Sequence, residues 1–216
     1  RNANTYKNST AFQFEQDNKV IKMSFTEFLD DINGLGTALH HMGLRNMKIA
    51  LIAQNSYEWI LTYFAVVNGG NIIVPIDPET QGEQIKHLIN KTEVSVVICS
   101  QKYFGKTQNA TNGLSLQQII VLEANIPNLI TSGRALIYEG ERSFIDYNVK
   151  NNACSIIVYT SGTTSQPKGV MLSHKNLASD MVAAIKNVFF SGTSILFLPL
   201  YHTFAFIGVL WQNDIN

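Results

Sequence analysis

Four short apolar runs, each followed by residues at helical spacing, constrain this chain more than any other feature. KIALIA (48–53), NIIVPI (71–76), VSVVIC (94–99) and QIIVLE (118–123) have strand length and are rich in Val and Ile. That is how strands covered on both faces read. Helix candidates lie between them at 56–67, ended by Asn68-Gly69-Gly70, and at 81–91; another at 126–138 follows the fourth run. Segment 102–116, rich in Gly, Asn and Thr, reads as irregular. Parallel strands need crossovers of about a dozen residues or more, usually helical. The alternation therefore predicts an α/β fold, with layered, mostly parallel sheets and flanking helices.

Before this unit, AFQF (11–14) and NKVIKMSF (18–25) read as a hairpin with Gln16-Asp17-Asn18 between them. Ser24 or Thr26 then opens a helix. Its apolar face is Phe25, Phe28, Leu29, Ile32, Leu35, Leu39 and Met42, and Gly43 is its stop. Asp30 and Asp31 on this helix read as solvated surface. After residue 150 the pattern changes. ACSIIVY (153–159) reads as a buried strand, 160–169 as a loop, and VMLSH (170–174) as a short strand whose His174 caps the next helix. That helix, at 175–189, and a buried strand SILFLPL (194–200), ending at Tyr201-His202, complete the pattern.

Charge narrows the function classes. Lys plus Arg and Asp plus Glu are 16 each among 216 residues, a formal net charge of zero. That argues against nucleic acid or an anionic membrane as the main partner, since both demand excess positive charge. Cys99 and Cys154 both sit in strand candidates and read as buried thiols, and no zinc-ligand spacing is present. Residues 195–211 contain no Asp, Glu, Lys or Arg. That run is shorter than the roughly 20 residues of a membrane span, and Pro199, Tyr201, His202 and Thr203 interrupt it. No secretory signal is visible, so the cytoplasm is the expected location and the sequons at Asn8, Asn90 and Asn109 carry no weight.

The chemistry concentrates in Thr160-Ser161-Gly162-Thr163-Thr164-Ser165-Gln166-Pro167-Lys168-Gly169. Hydroxyl donors, glycines that expose backbone N–H groups and one lysine, all next to a buried strand, suit a phosphate cradle. A hydroxyl-rich surface loop has the same composition. The P-loop order is absent: no lysine here is preceded by glycine and followed by Ser or Thr. The dinucleotide fingerprint follows none of the strand candidates.

YTSGTTSQPKGVMLSH (159–174) closely resembles the signature loop of the adenylate-forming enzymes, which include acyl-CoA synthetases and peptide-synthetase adenylation domains. It departs at Ser165, where glycine is usual. SYEWILTYFAVVNGGNIIVPIDPE (56–79), MSFTEFLDDINGLGTALHHMG (23–43) and LPLYHTFAF (198–206) resemble further family segments. The combination with RSFIDY is most similar to bacterial long-chain fatty-acid:CoA ligases.

The resemblance implies an AMP-forming acid–thiol ligase. A carboxylic acid, here a fatty acid, attacks ATP with Mg2+ present, giving acyl-AMP and pyrophosphate; coenzyme A then takes the acyl group. By matched position, Thr160, Ser161, Gly162, Thr163 and Thr164 would hold the phosphates, and Lys168 would neutralise them. His202 would lie beside the carboxylate and the adenylate and gate entry. The lipid substrate implies peripheral membrane contact. The family's metal-binding glutamate, ribose-binding aspartate and C-terminal catalytic lysine come later than residue 216. Residues 1–216 are therefore expected to be the N-terminal portion of the large AMP-binding domain, inactive alone. Two alternatives stay open: an enzyme that loads a carrier protein, and a non-catalytic nucleotide-binding homologue.

Overall fold

A computed structural model of the chain describes residues 6–16, 18–160, 167–185, 193 and 195–202. The expected hairpin is β1 (Thr10–Gln16) and β2 (Lys19–Ser24), paired antiparallel. Its expected turn residue Asp17 lies outside the described residues. Ser24 ends β2 and caps α1 (Phe25–His41): its hydroxyl accepts the Glu27 N–H (3.2 Å), and the Glu27 carboxylate accepts the Ser24 N–H (2.8 Å). This reciprocal box settles the choice between Ser24 and Thr26 as the opening residue.

The main sheet contains β3 (Lys48–Ile52), β4 (Ile72–Pro75), β5 (Val96–Cys99), β6 (Gln118–Val121), β7 (Cys154–Thr160) and β8 (Lys168–Ser173). Among the described residues its order is β6-β5-β3-β4-β7-β8, parallel except for β8, which runs antiparallel to β7. The helices between are α2 (Tyr57–Asn68), α3 (Gly82–Thr92), α4 (Phe104–Thr111) and α5 (Leu122–Tyr138), and α6 (His174–Ile185) follows β8. Alternate strand residues serve two cores. Ile49, Leu51, Ile73, Val96, Ile98, Ile156 and Val158 pack with α1, α2 and α5; Ala50, Ile52, Val74, Val97 and Cys99 pack with α3 and α4. Crossovers toward β8 use the first face and crossovers toward β6 the second. Every connection thus has the same hand, as the handedness rule for parallel crossovers requires.

Five expectations are corrected. Segment 102–116 is not irregular: α4 crosses it, because Thr107, Ala110 and Thr111 are buried beside α3. Helix α5 starts at Leu122, four residues early, with Pro127 inside it; Leu122 and Ile126 are buried, so packing on the sheet extends the helix past the proline start signal. Residues 195–198 form no strand. Ile195 is 85% and Phe197 78% exposed, with no ladder partner among the described residues. The cap of α6 is Ser173, whose hydroxyl accepts the Asn176 N–H (3.2 Å), instead of His174. Asp31 is buried, while Asp30 is exposed. Residues 186–189 and Trp211 lie outside the described residues.

Cys99 is buried and its thiol is pushed up to about 11 by loss of solvent; Cys154, on the first residue of β7, is half-buried. Both are free thiols. Trp59 is fully buried, as expected of a core residue.

Candidate functional site

Parallel α/β sheets present ligand sites outside the carboxyl ends of their strands. At that edge lie Gln54 and Asn55 after β3, Asp77 to Thr80 after β4, Ser100 after β5, and Thr160 as the last residue of β7.

The signature loop is rooted there. Thr160 pairs with Lys168 and Tyr159 with Gly169 in the β7–β8 ladder, so both roots are strand residues and the loop proper is shorter than 160–169. Lys168 is exposed at the start of β8. Ser161, Gly162, Thr163 and Thr164 lie outside the described residues. The end of α3 braces both roots. Lys91 Nζ donates to the Pro167 carbonyl (3.0 Å). Thr92 donates to the Leu88 carbonyl (2.6 Å), so its hydroxyl receives that of Tyr159 (2.5 Å).

The segment carrying His202 reaches the same edge. Asn55 bonds the backbone of Leu198 (2.7 Å) and of Leu200 (2.9 Å). The Tyr201 hydroxyl is shifted upward, first by loss of solvent and then by the charge and hydrogen bond of Asp77. His202 itself is exposed, with its ring 4.9 Å from that of Tyr201. β4 lies between β3 and β7, and β8 follows β7, so Lys168, Thr160 and the 198–202 segment share one edge within three strand spacings.

A charged cluster adjoins them. The Tyr103 hydroxyl donates to Glu79 (2.5 Å), and this bond, more than the nearby Lys102 and Lys106, holds the Glu79 carboxyl below its usual range. Lys106 donates to the carbonyls of Pro78 and Thr80, tying α4 to the loop after β4. Sequence reasoning missed Asn55, Lys91, Thr92 and Tyr103. The partners that matter here lie 24 to 145 residues away along the chain, so no local spacing marks them. Among the described residues no three His, Cys, Asp or Glu side chains gather as a metal site, and no helix is long and apolar enough to cross a membrane.

The family profile of the AMP-binding enzymes matches residues 1–212. The chain belongs to the AMP-binding enzyme family. Among curated relatives, it is 30% identical over 232 residues to long-chain-fatty-acid–CoA ligase 5 of Mus musculus, covering 95% of this chain and 34% of that one. It is 27% identical over 242 residues to the mitochondrial medium-chain acyl-CoA ligase ACSF2 of Danio rerio, covering 94% and 38%. The chain thus spans a little over a third of the length of these AMP-binding relatives. A solved structure of a long-chain-fatty-acid-CoA ligase from Archaeoglobus fulgidus superposes with a TM-score of 0.83 at 20% identity, over 99% of this chain and 43% of that one. At that identity the likeness establishes the shared fold, the layered α/β architecture of AMP-binding enzymes.

Proposed function

We propose that this AMP-binding chain is the N-terminal portion of the large domain of an ATP-dependent acyl-CoA synthetase acting on a fatty acid. The observation that carries the reading is the signature loop, rooted by paired Thr160 and Lys168 at the carboxyl edge that the His202 segment also reaches. The relatives named above favour an acid–CoA ligase over other AMP-binding activities.

In this reading a carboxylate oxygen of the acid attacks the α-phosphorus of ATP. The new P–O bond replaces the bond to pyrophosphate. The sulfur of coenzyme A then attacks the acyl carbon, releasing AMP and giving up its proton. Both steps build charge on oxygens, so fixed donors and a cation accelerate them. Thr160, Ser161, Gly162, Thr163 and Thr164 would supply the donors to the phosphates and Lys168 the cation, with His202 beside the acid. Mg2+ accompanies ATP in such chemistry and would offset the charge of its phosphates.

The test is exchange of labelled pyrophosphate into ATP by the full-length protein. A long-chain fatty acid should stimulate it. Absence of exchange across fatty, aryl and amino acids would overturn the reading. Lys168→Ala should slow exchange about 10- to 100-fold, the worth of one hydrogen bond from a charged donor. The exposed side chain should leave the melting temperature unchanged.

A further inference from the structure

The backbone before His202 is gripped at two points by one side chain, Asn55, 143 residues before Leu198. Asn55 follows β3 and directly precedes Ser56, the cap of α2. Its Nδ2 donates to the Leu198 carbonyl (2.7 Å), and its Oδ1 accepts the Leu200 N–H (2.9 Å). One planar amide thus does what the backbone of a neighbouring strand would do. Asp lacks the donor and Ser lacks the reach; a primary amide sets a donor atom and an acceptor atom side by side in one plane, as a peptide group does.

The clamp passes to His202 through rigid links. The Leu200 side chain is 1% exposed and sits in the core that packs α2. Residues 199–202 close a turn, with the His202 N–H donating to the Pro199 carbonyl (3.0 Å). The charge of Asp77, just after β4, acts on the Tyr201 hydroxyl between them. The backbone of His202 is therefore referenced through Leu198, Leu200 and the turn to the end of β3, on the same edge that roots Thr160 and Lys168.

We propose that Asn55 is a positioning residue for His202: it fixes the backbone of Leu198 and Leu200, and thereby holds the imidazole over the carboxyl edge where the acid substrate is bound. This rests on the ligase reading above. Both polar atoms of the Asn55 amide are engaged by Leu198 and Leu200, so its loss should be felt through His202, on the side of the acid.

The test uses the full-length protein with two variants. Asn55→Asp keeps the size and the acceptor, removes the donor and sets a carboxylate against the Leu198 carbonyl; Asn55→Ala removes both bonds. In each, KM for the carboxylic acid should rise about tenfold, the scale of one or two lost hydrogen bonds. KM for ATP should stay within about twofold on the same ground. The Leu200 amide should exchange with solvent at least about tenfold faster in Asn55→Ala, since its acceptor is gone. Adding Asn55→Ala to His202→Ala should raise the acid KM no further, because residues acting in series are not additive. An unchanged acid KM, an equal rise in the ATP KM, or full additivity in an active enzyme would overturn the proposal. A wild type without acid-dependent exchange overturns the ligase reading instead. The Leu200 amide then still decides the clamp, and an unchanged exchange rate in Asn55→Ala overturns it.

Discussion

Asp30 and Asp31 are neighbours on α1, and only Asp30 faces water. Successive helical residues point about 100° apart, which turns Asp31 inward. There it receives the Tyr57 hydroxyl (2.7 Å) and the Arg134 guanidinium (2.6 Å), joining α1, α2 and α5. Burial raises the Asp31 carboxyl above its ordinary 3.8, outweighing the hydrogen bond from Tyr57 and the charge of Arg134. The folded state therefore holds this proton more tightly than the unfolded chain. Its contribution is fully present below 3.8 and is lost as pH rises through the raised value. Asp31→Ala should cost about 1–3 kcal/mol in denaturant melts, because it strands the buried Tyr57 hydroxyl. Adding Tyr57→Phe should recover part of that cost. The stability difference between wild type and Asp31→Ala should shrink as pH rises from 3.8. A double variant worse than the sum of its parts would count against the network. An adjacent acid pair reads as surface because nothing local reveals an arginine 103 residues away.

Helix α1 was legible from its apolar spacing, its cap and Gly43, yet its closest partner was not. It crosses α5 where two glycines meet. A Cβ on Gly133 would overlap the Gly34 carbonyl, and a Cβ on Gly34 would lie 2.8 Å from the Ile130 oxygen. Gly133→Ala gains up to about 1 kcal/mol of helix propensity. It also drives backbone against backbone, which costs about 1–3 kcal/mol or more. Net destabilisation is expected in thermal melts. Gly105→Ala in α4 is the control, because its Cβ would meet nothing within 4 Å. It should stabilise by a few tenths to about 1 kcal/mol. Equal shifts of the same sign would show that propensity, and not the close approach, decides at Gly133. The same distinction explains α4, whose residues have little helical preference and form a helix because Thr107 and Ala110 are buried beneath α3.

At the scale of the whole molecule the sheet strands hide most of their apolar residues, and the 195–198 run stands out among the exceptions. Ile195 and Phe197 are 85% and 78% exposed, in a run read from the sequence as a buried strand. Ile195→Ser with Phe197→Ser should change stability by no more than about 0.5 kcal/mol, as exposed positions do, and should reduce self-association in light scattering. A loss above about 1 kcal/mol would show that these side chains are covered in solution. The sequence by itself determined the layered α/β class, the strands from β3 to β7, and the loop between Thr160 and Lys168. Each rests on periodicity or a contiguous motif, and such signals are short-range. Only the tertiary structure decided that β8 turns back antiparallel, that Lys91 and Thr92 brace the loop, that Asp31 is buried and that Asn55 grips Leu198 and Leu200. Those outcomes depend on which surfaces meet after the chain has crossed the sheet, and a contact between residues 143 apart leaves no period to read.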